Sequence, residues 1–550
     1  MNRTAIDEAA RRSCASGLMV ALALSLGGCD GGAGDTADAE VVDTGPADAA
    51  AGQTWVDGIQ AIVAARCTGC HTPTGVAPFP LVTHGDVLSA APAVAASIRA
   101  GTMPPTRTRA DCRSFENDHR MPDDERDALL TWLDDGAPLG ETEGFVPTAP
   151  STDVLAEPDI RLQPAAAYTP SSDRVDDYRC LPLGEPFAAT AWVTAHAFEP
   201  DVAAQVHHVI LYLVPPDGVA DMADADAAAA GPGYPCYGSS GFGGQQMGVW
   251  APGGGPQRFP DGAAFEVPAG SQIVAQMHYN TPPGGAQPDR STLHLQTAGR
   301  PPPLRVTMPI FGGFFRVPAG DPAATFEFDF RFDAGMADKR IFAVMPHMHR
   351  IGREITVELA RADGDACLVD VHDWAFEWQQ FYDIAAPGIP VSGGDTLRYR
   401  CTFDNGDGAT PVEFGEGSDD EMCLVVLAMV GPPDTEAPVA CPDYADCRDG
   451  CVDPDGAGCY LACAPAQPTG CSSCLLQGVG ECGQTHCGPQ FASMIGCVSQ
   501  NCTVDLMDTA GMTACLDGPC RETFDASWAC VQPLIDAGVC AAFEACGVRP

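Results

Sequence analysis

Val344-Met-Pro-His-Met-His-Arg-Ile-Gly352 is the stretch that decides how the rest of the chain is read. On an extended strand, residues two apart share a face, so His347 and His349 present two imidazoles to one point. Two neutral imidazoles on one face are the beginning of a copper or zinc site. A pair of surface histidines on an edge strand is the competing reading, and the motif alone does not choose between them. The sequence on either side does.

Working outward, short runs rich in Val, Ile, Tyr and Phe alternate with Gly/Pro turns from about residue 158 to 433. They include Trp192 to Phe198, Val206 to Val214, Ser271 to Tyr279, Ala324 to Phe332, Arg340 to Pro346, Glu354 to Leu359, Thr396 to Phe403 and Met422 to Val430. Repeated short strands with turn signals predict antiparallel β-sandwiches. The length suffices for two, with Pro301-Pro-Pro303 as the seam between residues 158–300 and 301–433. Further candidate ligands sit on these strands. His207-His208 opens one strand; neighbours on a regular strand point oppositely, so both reach one metal only at a strand end, a twist or a bulge. His278 closes another strand in Gln276-Met-His-Tyr279, and Met422 lies in Ser418-Asp-Asp-Glu-Met-Cys423. Singly, each also reads as ordinary packing.

Taken in order, Val206-His-His-Val-Ile-Leu-Tyr212, Val274-Ala-Gln-Met-His-Tyr279, His347-Met-His-Arg-Ile-Gly352 and Asp420-Glu-Met-Cys423 resemble the copper type II ascorbate-dependent monooxygenases. This is the family of the peptidylglycine α-hydroxylating and dopamine β-hydroxylating enzymes. Trp250-Ala-Pro fits as well, and the likeness spans about residues 160–433. It implies two antiparallel, jelly-roll-like β-sandwiches facing each other across solvent. It implies an electron-storing copper on His207, His208 and His278, an oxygen-binding copper on His347, His349 and Met422, and a disulfide between Cys401 and Cys423. A soft thioether suits Cu(I), the state that binds dioxygen, and imidazoles suit a copper that cycles. The implied reaction inserts one oxygen atom of O2 into a C–H bond of a small organic substrate, using electrons from ascorbate or a redox protein. The chain departs from the peptide-amidating members where they grip a carboxylate: Met345, Leu424 and Val426 stand at those places. An apolar pocket and a substrate other than a C-terminal glycine are expected.

Residues 53–140 read as a separate helical domain. Trp55 to Ala65 predicts a helix running into Cys67-Thr-Gly-Cys70-His71. C-x-x-C-H is the covalent haem attachment signal, with His71 as axial ligand. A reduced thiol pair or half of a zinc site is the alternative. Met103, before Pro104-Pro105, is the expected second axial ligand, with Met121 behind it; Asp123 to Asp135 predicts an amphipathic helix. Together these resemble a class I-like cytochrome c carrying haem c.

The ends of the chain concern export. Arg11-Arg12 and the apolar run Gly17 to Leu26 read as a signal peptide over residues 1–28, too short to span a bilayer as a mature helix. Leu26-Gly-Gly-Cys29 resembles the bacterial lipoprotein cleavage box, which implies lipidation of Cys29 and a membrane anchor. A plain secretory signal is the alternative. Residues 29–52 read as a flexible tether. Export to a periplasm-facing or surface location agrees with 26 cysteines, a number foreign to a reducing compartment. Sixteen of them fall in residues 441–548, a disulfide-rich tail in which Cys482-x4-Cys487-x9-Cys497 recurs as Cys515-x4-Cys520-x9-Cys530. That repeat predicts helical pairs stapled by bridges, with zinc as the alternative. A formal charge of −44, with Lys339 as the one lysine, argues against a nucleic-acid partner. The function expected is therefore a haem-fused copper monooxygenase in a multidomain, mainly β chain. A non-catalytic exported haem and copper electron-transfer or copper-binding lipoprotein is the alternative.

Overall fold

The computed structural model describes residues 53–540 apart from short interruptions, the longest at 149–154, 434–440 and 464–470. The signal segment, Cys29 and the tether lie outside the described residues.

Three helices, Gln60–Arg66, His84–Arg99 and Asp123–Asp134, form a small unit around Ile59, Val63, Val87, Leu129 and Trp132. The expected helix from Trp55 begins only at Gln60, because Gly58 takes φ +129° and kinks the turn before it. Thr83 and Asp86 close a reciprocal capping box at the second helix. Asp123, Asp124 and Glu125 place negative charge at the positive end of the third.

Two four-stranded antiparallel sheets form outer layers. One runs Asp176–Leu183, Gln272–Asn280, Val206–Val214, Gln245–Trp250; the other runs Ala324–Arg331, Thr396–Phe403, Gly352–Ala360, Ala366–Val371. Behind both lies one mixed sheet. Leu304–Thr307, just past the triple proline, pairs parallel with Ala263–Val267 and antiparallel with Leu424–Gly431, so the two halves are stitched together. Leu424–Gly431 also pairs with Arg340–His347, from Arg340↔Val430 to His347↔Leu424.

This corrects the expectation of two sandwiches separated by solvent. Along Leu424–Gly431, Val425, Leu427 and Met429 face one core, while Val426, Ala428 and Val430 face the other. On Arg340–His347, Ile341 and Val344 belong to the second core, and Phe342, Ala343 and Met345 to the first. A strand that is apolar at every position has no solvent face, and burial on both sides is its stable solution.

Outlying segments dock on the second sandwich. Cys112 of the helical unit is disulfide-bonded to Cys367, and Phe115 enters the second core beside Tyr382. In the tail, Val504–Asp505 pairs with Gly313–Phe314, and Phe314 sits in the tail's own core. The cysteine repeat there is a reciprocal staple. Cys487–Cys530 and Cys497–Cys520 join Gly488–Asn501 to Arg521–Asp536. Each cysteine preceding a helix bonds one inside the other helix. Two antiparallel helices can be closed this way only if both carry the same interval, which is why the x9 spacing recurs.

His196 is buried in the first sandwich, its Nε2–H donating to Gln257 Oε1 at 2.9 Å. A side chain at Gly248 would run into its ring. Burial pushes the imidazolium pKa down to about 4. The unfolded chain therefore takes up this proton first, and stability should fall as pH drops from the ordinary value near 6.5 toward 4. The loss levels off at about 3 kcal/mol. Urea unfolding of wild type and His196→Gln between pH 4 and 8 checks this: the variant should lose that part of the slope.

Candidate metal centre

The strand Val206–Val214 slips register between Val206 and His208 against Gln272–Asn280, and His208 lies opposite His278. A bulge at His207 is what allows two consecutive histidines to reach one point. Nδ1 of His208 lies 3.2 Å from Nδ1 of His207 and 3.3 Å from Nδ1 of His278. His278 gives its Nε2–H to Asp176 Oδ1 at 2.9 Å, so its Nδ1 carries a lone pair. Its ring also stacks on Tyr178 at 4.2 Å. One proton can bridge only two of three facing nitrogens, so lone pairs are left converging. With one nitrogen from each ring, all three ligand atoms lie within 4.8 Å of one another. In addition, Nε2 of His207 is buried without a hydrogen-bond partner. Burial pushes the His207 imidazolium down to about 3 and His208 well below its ordinary value, so both are neutral donors at neutral pH. A carboxylate behind one imidazole and lone pairs in front is the donor set of a copper or zinc site, and the residues present fit copper.

The second set is built from the end of Arg340–His347. The strand stops at His347, Met348 turns into the core at 0 % exposure, and the rings of His347 and His349 meet at 5.0 Å and 85°. Gln379 donates its amide N–H to Phe376 O, which leaves its oxygen to accept His347 Nδ1–H at 2.6 Å. His349 Nδ1–H donates to Asp420 O at 3.0 Å. Both histidines therefore keep Nε2 as a lone pair, the opposite nitrogen from that offered by the first set. Burial lowers the His347 pKa to about 4 and that of His349 to about 3. Glu421 ties the loops together: its carboxylate accepts the amides of His349, Ile351 and Met422. Burial pushes its carboxyl up to about 7, with those amides pulling it back. Met422 is buried two residues before Leu424, the strand partner of His347. Cys423 is bonded to Cys401. A Cβ at Gly352 would strike Met348 and Trp374, so the turn after the second histidine is tightly packed.

The two sets touch. The His208 and His347 rings are 6.3 Å apart. Phe376 stacks on His207 at 4.6 Å and meets His349 edge-on at 5.9 Å. Beside them, a cavity of about 800 Å³ opens between the helical unit and both sandwiches. Cys67, Cys70, His71, Met103 and Met121 line one side, and His207, Arg350, Phe376 and Trp378 the other. Cys67 and Cys70 are the free cysteines among the described residues.

Residues 329–438 match the family model "Copper type II ascorbate-dependent monooxygenase, C-terminal domain". That stretch is similar to a copper type II monooxygenase domain. The matched segment of this domain contains His347, His349, Cys401, Met422 and Cys423. Among solved structures, the chain is similar to the major capsid protein P2 of bacteriophage PM2. The identity is 11 %, over 50 % of this chain and 98 % of that one, with a TM-score of 0.25. It is also similar to the infectious bursal disease virus Gx strain structure, at 11 % identity over 53 % and 76 % of the two chains, with a TM-score of 0.16. Likenesses this slight carry no argument.

Several supporting residues escaped the sequence reading. Glu421 stood inside a quoted motif without a role. Asp176, Phe376 and Gln379 have no local signal at all, because each meets its histidine only through tertiary packing. Asp176→Asn should weaken copper binding at the His207, His208, His278 set by about 10–100-fold. Competition titration of the full chain against a chromophoric chelator measures it, and unchanged affinity would remove Asp176 from the site. Glu421→Ala should strand three amides at about 1–3 kcal/mol each, read as a lowered thermal midpoint together with weaker copper binding in a chelator titration.

Proposed function

We propose that the chain is a copper-dependent monooxygenase that hydroxylates a C–H bond of a small organic substrate with O2, its electrons relayed by a c-type haem in the helical unit. The observation that carries the relay is the shared cavity, with Cys67-x-x-Cys70-His71 on one wall and His207 on the other. Its volume of about 800 Å³ lies in the range of cofactor sites. His71 donates Nδ1–H to Phe79 O at 2.9 Å, leaving Nε2 as a lone pair. Burial pushes Cys67 up to about 12 and also raises Cys70, so both remain thiols, the form that adds across a vinyl group. Met103 and Met121 supply alternative thioethers on the same lining.

The balance is R–H + O2 + 2 e⁻ + 2 H⁺ → R–OH + H2O. Copper at the two histidine sets and haem at Cys67, Cys70 and His71 would supply one-electron storage and dioxygen chemistry. The chain's own residues do the rest. Asp176 and Gln379 hold His278 and His347 in fixed tautomers, and Asp420 holds His349. Arg350, above the Phe376 ring and paired with Asp419 at 2.9 Å, puts a guanidinium on the cavity wall. Ascorbate or a redox protein remains the outer reductant. Export with a lipid anchor at Cys29 belongs to the same reading, and the ten disulfides among the described residues agree with an oxidising compartment.

A second reading is a non-catalytic haem and copper electron-transfer or copper-binding lipoprotein. It is favoured by Met345 and Val426, which are buried in the core where a polar substrate grip would be expected. The full chain, purified from a haem-maturing host with added copper, tests both. Iron and copper should both be present per chain, and Met422→Ala should lose one copper. After anaerobic reduction of the haem, addition of Cu(II) should oxidise it at a rate independent of protein concentration. A chain without iron, or a haem that stays reduced, ends the relay. Oxygen uptake without hydroxylated product selects the non-catalytic reading.

A further inference from the structure

The segment from Thr108 to Asn117 leaves the helical unit and lies on the second sandwich. Its first half grips the strand Ala366–Val371. Thr108 bridges to Val371, Arg109 N donates to Asp370 O at 2.8 Å, Arg113 Nε donates to Cys367 O at 3.1 Å, and Cys112 is bonded to Cys367. Its second half grips residues 381–383. Glu116 N donates to Asp383 O at 2.9 Å, Asn117 Nδ2 donates to Phe381 O at 2.7 Å, Asp383 N donates back to Asn117 Oδ1 at 3.0 Å, and Phe115 packs on Tyr382 at 5.0 Å.

Val371 and Phe381 are the two ends of one loop. That loop carries Trp374, whose Nε1–H donates to His349 O at 3.0 Å. It also carries Phe376, stacked on His207, and Gln379, which fixes the tautomer of His347. The segment 108–117 therefore pins both feet of the loop that touches both histidine sets. We propose that this segment is a positioning strap: by closing the ends of the 371–381 loop, it holds Phe376 and Gln379 in place and so sets the geometry of both candidate metal centres. The inference extends the copper reading, but it needs no haem.

The physical reason is entropic. A loop whose ends are tied has fewer conformations to lose when its side chains order, and a disulfide between segments 255 residues apart in sequence keeps the tie at all times. Phe115 adds an apolar anchor, 6 % exposed, that cannot leave without opening the second core.

The test uses the full chain in three forms: wild type, Cys112→Ser with Cys367→Ser, and Phe115→Ala. In both altered forms, amide hydrogen exchange in residues 372–380 should quicken by about tenfold or more, while exchange in the Gln272–Asn280 strand stays at the wild-type rate. Cu(I) affinity of the His347 set should fall by about 10–100-fold, and the Cu(II) electron paramagnetic resonance spectrum should broaden. Phe115→Leu should restore both, which a general loss of stability would not do. Loop exchange and copper affinity within twofold of wild type in the double serine form would overturn the strap. A wild-type chain that binds no copper would instead defeat the reading under Proposed function, and the exchange measurement would still decide the strap.

Discussion

The strand pair Arg340–His347 and Leu424–Gly431 has no side left for water. Phe342, Met345, Val426 and Val430 fill the first core while Val344, Val425, Leu427 and Met429 fill the second. Uncovering the first-core face would expose four sizeable side chains, at roughly 1.5–3 kcal/mol each. That sum rivals the whole stability of an ordinary domain, about 5–15 kcal/mol. Separation of the two halves along this face is thus close to unfolding. Because the same pair ends in His347 and begins two residues after Met422, the second set of candidate donors is carried to the seam. There the His347 ring meets His208.

Around the donors, polarity is rationed with care. The chain carries a formal charge of −44, yet the acidic groups that touch the candidate ligands are few and specifically bonded. Asp176 accepts from a ring nitrogen, and Glu421 accepts from three backbone amides. Each spends its lone pairs on orientation instead of offering them to a cation. The first set is left facing inward with Nδ1 and the second with Nε2, and burial keeps four of the five imidazoles neutral at neutral pH. The net charge belongs to the surface, where it favours solubility.

Covalent staples do what core size cannot. The tail alternates short helices with seven described disulfides, and its own apolar cluster is interleaved with cysteines. Small units that bury little surface commonly rely on such bridges. The helical unit has a single bridge to the rest, Cys112–Cys367. It is placed where the chain passes between Met103 and Met121, so the same short stretch that carries both candidate thioethers is also moored to the second sandwich.

By itself, the sequence determined which residues are able to act as donors and the type of layer that carries them. H-x-H, His-His, Q-x-H-Y and D-E-M-C name donors, and C-x-x-C-H names a thiol pair with its imidazole, because ligand identity is a property of side chains. Period-two alternation and turn residues name strands, because pleat geometry is local. The apolar run Leu424 to Val430 is legible as a strand, and its lack of a polar face is the local sign that water does not separate the sandwiches. Only the tertiary structure decided which nitrogen each imidazole offers, that the two sets are in contact, and that Asp176, Gln379, Phe376 and the 108–117 segment hold them. Those choices depend on partners tens to hundreds of residues away, as with Cys112 and Cys367 at a separation of 255. No local pattern encodes a contact whose existence depends on how two cores share one sheet.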